Sequence, residues 1–150
     1  MPNLKSKTLE PIELEAIGKS SHHKEVLFGL YNRRSKDSVI SSFRQIDYKE
    51  HCFFVENHPY REWFFVRVQE EYIGTVYLSN DNSVGVFLEK NQNNRLAEIL
   101  NIVLSKFKPL PSIPSVRPGS FVMNISPENE KFEIILRDLY FPLIQKTYLM

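Results

Sequence analysis

The chain has 150 residues, of which 42% are hydrophobic and 25% are charged. That length predicts one domain over residues 1–150, able to bury ~70% of its unfolded surface and to stand without a metal or a disulfide. A net charge of +1 argues against a nucleic-acid groove and a polybasic membrane surface, and the single Cys52 excludes an intrachain disulfide.

In chain order, Leu9, Ile12 and Leu14 suit a short first strand, which Pro11 marks as an edge. Ser20 and Ser21 can cap a helix through about Arg33, with Leu27, Leu30 and Tyr31 on one face. The cluster Tyr31-Asn32-Arg33-Arg34 reads as a solvated helix end. Asp47 opens a second helix with Glu50 three residues on, in capping-box spacing. Tyr48, His51, Cys52 and Val55 share its inner face, which makes Cys52 a core thiol rather than a nucleophile. Pro59 ends this helix, because the residue before proline avoids helical dihedrals.

Residues 62–69, 72–79 and 83–89 alternate as strands, and the short separators between them predict an antiparallel meander. Gly74 and Gly85 inside these strands mark a bulge or a close backbone approach. Leu96, Ile99, Leu100, Val103, Leu104 and Phe107 recur at helical spacing, with Asn91, Asn93 or Asn94 as the cap. A strand entering that helix through a polar, glycine-free joint is expected to leave backbone N–H groups open to an anion.

Residues 108–119 hold four prolines, at 109, 111, 114 and 118, and form a stiff, extended connector. Residues 120–125 read as a buried strand. Ser126-Pro127 starts a last helix with Phe132, Ile135, Leu136 and Leu139 inward. Residues 140–148 supply a final strand or strand pair. No run approaches the ~20 apolar residues of a membrane span. The first residues lack the apolar core of a signal peptide, so a cytoplasmic protein is expected.

This order of elements resembles the GNAT superfamily of acyl-CoA-dependent N-acyltransferases. Three stretches carry the resemblance. Residues 40–63, ISSFRQIDYKEHCFFVENHPYREW, resemble the substrate-side helix and following strand of a bacterial subgroup associated with surface-glycan genes. Residues 71–78, EYIGTVYL, lie in the meander. Residues 123–144, MNISPENEKFEIILRDLYFPLI, are similar to the family's late strand, helix and final hairpin. The resemblance implies an α/β (α+β) fold, with a central, mixed but mostly antiparallel sheet flanked by about four helices.

It also implies a site. In the family the fourth strand splays from the fifth, and the pantetheine arm of acetyl-CoA pairs with the exposed strand, here at Phe87, Leu88 and Glu89. The diphosphate sits on a loop of pattern Gln/Arg-x-x-Gly-x-Gly/Ala. This chain offers Gln92, Asn93, Asn94, Arg95, Leu96 and Ala97 there, matching at its two ends, with Arg95 at the central glycine position. Arg95 either blocks the diphosphate or pairs with it.

The family's Asn-x-x-Ser-x-x-x-Tyr pattern would begin at Asn129. It then places Phe132 at the serine and Leu136 at the tyrosine that protonates the departing thiolate. Tyr140 is a substitute acid. Glu89, at a strand end, is the candidate base, with a solvated carboxylate as the plain alternative. In the family the region of His51, His58 and Tyr60 borders the acceptor pocket, with a core histidine at 51 and a turn cap at 58 as the plain alternatives. The acceptor implied is the primary amine of a small molecule, such as an amino sugar or a nucleotide-linked amino sugar.

The departures from the pattern leave a second reading, a non-catalytic domain that binds a ligand or a partner protein. The proline-rich connector offers a surface for a neighbouring chain, as in a homodimer. His22-His23 lacks a third ligand, and no metal is expected.

Overall fold

The computed structural model describes residues 9–33 and 46–150. Arg34 of the basic cluster and residues 40–45 of the substrate-side stretch lie outside the described residues. In chain order the elements are β1 (Ile12–Ala16), α1 (Ser21–Asn32), α2 (Tyr48–Asn57), β2 (Glu62–Val68), β3 (Glu71–Leu78), β4 (Ser83–Leu88), a 3-10 helix (Lys90–Arg95), α3 (Leu96–Lys106), β5 (Val122–Met123) and α4 (Glu130–Asp138).

The strands form one five-stranded sheet in the order β1-β2-β3-β4-β5. The first three pairings are antiparallel and β4–β5 is parallel. The β2–β4 meander is the one the alternation and short turns predict, the mixed, mostly antiparallel sheet is the one the resemblance implies, and β1 lies at its edge, where Pro11 is tolerated.

Side chains alternate across the strands, so each face carries its own core. One core joins Val66, Val76, Val84 and Leu88 of the sheet to Leu96, Ile99 and Val103 of α3 and Phe132 of α4. The other joins Trp63, Phe65 and Phe87 to Leu27 and Leu30 of α1 and Val55 of α2. Each fully buried side chain of this size contributes about 1.5–3 kcal/mol.

Both helix starts on the second face form as the sequence predicts. The Ser20 hydroxyl accepts from the His23 amide. Asp47 and Glu50 form a reciprocal capping box, with side chain to backbone distances of 2.8 and 3.1 Å.

Gly74 and Gly85 are places of close approach. A Cβ on Gly74 would lie 2.0 Å from the Phe87 carbonyl oxygen, and one on Gly85 would lie 2.0 Å from the Tyr77 ring. A register shift at Val66/Arg67 opposite Gly74 marks the bulge.

Four expectations change. The strand expected over 120–125 is paired only at Val122–Met123. The last helix begins at Glu130 and not at Pro127. Asn129 is its cap, accepting from the Phe132 amide, while the Ser126 hydroxyl accepts from the Glu128 amide in the preceding turn. Residues 140–148 form no strand, and residues 141–150 are exposed and carry no regular secondary structure. The joint before α3 is no open loop, because Lys90–Arg95 is already helical.

Asn82 positions the start of β5. It is fully buried and sits at φ 67°, a conformation asparagine tolerates. Its amide nitrogen donates to the carbonyls of Leu110 and Pro118 at 2.9 and 2.7 Å, and its side-chain oxygen accepts from the Leu110 amide at 2.8 Å. Its own carbonyl accepts from the Val122 amide at 3.0 Å. One side chain thus fastens the proline-rich connector to the β3–β4 turn and delivers β5 to the start of β4.

Candidate functional site

The site builds on the direction of the main chain in β4. The Ser83 carbonyl accepts from Ser79 and the Glu89 amide donates to Ile73. Polar groups alternate along a strand, so those of Gly85 and Phe87 also face β3, and those of Val84, Val86 and Leu88 face away. On that side β5 accompanies only Ser83 and Val84. Past Val84, among the described residues, no strand pairs with Val86 or Leu88. The pairing therefore stops after Val84, which leaves a gap in the ladder beside the peptide groups of Val86 and Leu88. Val86 was not singled out from sequence. Its signal is the odd–even alternation, which becomes readable once Ser83 is known to face β3.

On the α1/α2 face, aromatic rings lead to β4 along two lines. Tyr31 lies 6.2 Å from both His51 and Phe87, ring centre to ring centre. Tyr60 stacks on Tyr77 at 4.2 Å, and Tyr77 covers Gly85. Phe87, His51 and Tyr60 are thus brought to one face of the sheet.

His51 is fully buried. Burial pushes its pKa down, against the pull of the Lys24 carbonyl. The neutral ring donates from Nε2 to that carbonyl at 2.8 Å, joining α2 to α1. Its Nδ1 is buried with no hydrogen-bond partner among the described residues. His58 is also lowered, chiefly by burial, and its Nδ1 accepts from the Tyr60 amide at 3.2 Å, closing a turn. His23, next to His22, is held within the fold, with Nδ1 accepting from the Gly18 amide at 2.8 Å.

Glu89 stands at the end of β4 and is already engaged. Its Oε1 receives Arg33 Nε at 2.9 Å and a terminal guanidinium nitrogen at 2.6 Å. Tyr140 is 93% exposed, just past the C-terminal end of α4. Its backbone lies at φ 63°, where it ends the helix. Asn129 likewise caps α4 with its side chain.

The joint before α3 departs most from expectation. Leu96 is fully buried core, and its amide donates to the Asn93 carbonyl. The start of α3 therefore does not present the open amides expected there. The helical turn has begun at Lys90, where the Gln92 amide reaches the Glu89 carbonyl at 2.8 Å. Asn93 donates to the Lys90 carbonyl at 3.0 Å. Asn94 is exposed, and Gln92 and Ala97 are half-buried.

Arg95 is only 4% exposed. Its guanidinium turns inward, donating to Glu98 Oε2 at 3.0 and 2.8 Å and to the Glu10 carbonyl. It neither stands in front of the turn as a block nor reaches outward as a phosphate ligand.

A hollow of about 410 Å³ lined by residues 112–118 lies in the turn of the connector. The Arg117 guanidinium there reaches the Asn80 carbonyl, which sets the hollow at the Ser83 end of β4, opposite the gap. Among the described residues no helix is long and apolar enough to cross a membrane.

No protein-family model matches the sequence, and no curated protein does. A solved structure does match in fold, that of a possible acetyltransferase from Clostridium difficile 630. The TM-score is 0.53 at 12% identity, covering 94% of this chain and 97% of that one. At such identity the likeness is one of fold: this chain has the α+β architecture of an acetyltransferase-like structure.

Proposed function

We propose that the protein is an acyl-CoA-dependent N-acyltransferase that moves an acetyl group to a primary amine of a small molecule. The observation that carries the reading is the end of β4–β5 pairing after Val84. An extended acyl-pantetheine chain is rich in amides and needs an unpaired strand edge to bind. The peptide groups of Val86 and Leu88 suit it.

In this reading a main-chain N–H on that edge also polarises the thioester carbonyl and stabilises the developing oxyanion. The acceptor amine approaches from the α1/α2 face, past Tyr31, His51 and Phe87, and attacks in its neutral form. Glu89 positions the end of α1 through Arg33 and is not the base. Leu136 has no proton to give, so water carries the proton that the acylated nitrogen loses to the departing thiolate. The diphosphate lies by the amides of Lys90 and Asn91, one turn earlier than the sequence pattern suggests. An amino sugar, free or nucleotide-linked, is an acceptor class compatible with an aromatic wall.

The engaged Glu89 and the outward Tyr140 favour a second reading, in which the same edge binds a ligand without turnover. Titration calorimetry with acetyl-CoA, followed by thiol release with a panel of amines, separates the two. Binding with amine-dependent thiol release supports the transferase. Binding without release supports the second reading, and no binding at millimolar ligand removes both for this ligand class.

A further inference from the structure

We infer that the Tyr77 hydroxyl is a second donor to the acyl oxygen, beside the main-chain N–H of Val86. The inference rests on the acyl transfer proposed above and adds a residue to it. Tyr77 is rooted in β3 opposite Gly85 of β4. The far end of its ring, and not the root, covers that glycine. A Cβ on Gly85 would lie 2.0 and 2.1 Å from the ring atoms Cζ and Cε1 and 2.5 Å from the hydroxyl oxygen. The side chain therefore crosses from β3 over β4, and its hydroxyl stands above the strand that borders the gap. Gly85 supplies the room, since a side chain there would occupy the space of the phenol. Tyr60 stacks on the same ring at 4.2 Å and 12° from parallel. Strand and aromatic plane together fix the direction of the hydroxyl.

That hydroxyl is unengaged. A buried tyrosine usually finds a hydrogen-bond partner, and Tyr72 on the same face does, donating to Glu15 at 2.7 Å. The half-buried Tyr77 hydroxyl has no such bond among the described residues. Burial first, and the charge of Asp81 second, push its phenol above the ordinary 10. The group stays protonated at neutral pH, a donor without an acceptor. In the proposed reading the cofactor supplies one. Its diphosphate lies by Lys90, so its arm runs back along Leu88 and Val86 and brings the thioester to the Val84 end of the gap. There the Val86 N–H points out from the sheet edge, and the Tyr77 hydroxyl stands above the neighbouring residue. As the amine lone pair forms the C–N bond, the carbonyl pair moves onto oxygen, where both donors hold it. The pair returns as the C–S bond breaks. The proton lost by nitrogen passes through water to the thiolate sulfur, and Tyr77 keeps its own.

The test is Tyr77→Phe in the full chain, which deletes one oxygen and keeps the ring, the stack and the fit on Gly85. An oxyanion donor acts in the transition state, so kcat for acetyl transfer to the best amine is expected to fall ~10²–10³-fold. The affinity for acetyl-CoA, read by calorimetry, is expected to stay within about twofold of the unaltered chain. A residue with a merely structural role would not split the two in this way. A loss in kcat below about tenfold overturns the inference and leaves acyl transfer standing. A fall in acetyl-CoA affinity as large as the fall in rate overturns it as well, because Tyr77 would then serve binding. Absence of amine-dependent thiol release in the unaltered chain removes acyl transfer itself, and the inference with it.

Discussion

Arg33 and Glu89 clamp the end of α1 to the end of β4, two donors of one guanidinium meeting a single carboxylate oxygen at 2.9 and 2.6 Å. The pair is partly exposed, so its contribution to stability is at most about 1 kcal/mol. Its effect is positional, since it holds the carboxylate toward Arg33 and away from an incoming amine. Glu89→Gln is therefore expected to change kcat/KM for acetyl transfer by less than tenfold, whereas loss of a general base costs ~10²–10⁴-fold. Steady-state kinetics with acetyl-CoA and the best amine checks this, and a loss at the upper end would restore Glu89 as the base.

Acid is expected to weaken the fold through its histidines. His51 and His58 both have pKa values below the ordinary 6.5, chiefly because they are buried. The unfolded chain then binds protons that the folded chain refuses. Stability is full above the unfolded value and declines as pH falls through 6.5 toward the folded values. Urea midpoints at pH 7.5 and 5.5 should show the drop. His51→Asn should make the slope between those pH values shallower while lowering stability at both.

Asn82 is expected to be a costly single replacement. Asn82→Ala removes three side-chain hydrogen bonds and strands the Leu110 and Pro118 peptide groups in a buried setting. A loss of about 3–4 kcal/mol follows, read from chemical denaturation. A loss under about 1 kcal/mol would mean that the connector is held by other contacts.

Tyr140→Gly is expected to stabilise. The Tyr140 amide bonds to the Arg137 carbonyl at 2.9 Å and the Phe141 amide to the Leu136 carbonyl at 3.0 Å, the bond pattern of a helix stop that favours glycine. Tyrosine at φ 63° is strained there. Glycine should add about 1 kcal/mol, or ~2–4 °C in Tm for a chain of this size, measured by calorimetry at one fixed protein concentration.

Local chemistry was legible in the sequence and distant pairing was not. The meander, the capping box at Asp47 and Glu50, and the α3 stripe each depend on residues a few positions apart, and they formed as read except at Leu104, which is exposed. Arg95 could not be placed, because its carbonyl partner, Glu10, lies 85 residues away in sequence. Nor could Asn82, which looked like an ordinary turn residue until the connector arrived beside it. The apolar run after α4 has strand-like composition, but composition does not name a partner. The sequence likewise suggested an open amide ring at the start of α3. Three asparagines read equally well as caps, whereas burial of Leu96 and Arg95 favoured an earlier helical turn. The alternation in β4 was visible, but which parity faces outward awaited the pairing with β3.

The two-rung clasp between β4 and β5 works as a ruler. Four residues of β4 run free beyond it, ~13 Å at strand rise, and the outward peptide groups at Val86 and Leu88 repeat every ~6.6–6.8 Å. A guest is measured by the interval between its own amides before any side chain senses it. Zipping the clasp by one further repeat would erase half the gradations. Insertions near Val122 should thus be poorly tolerated, although that stretch lies at the border of the sheet.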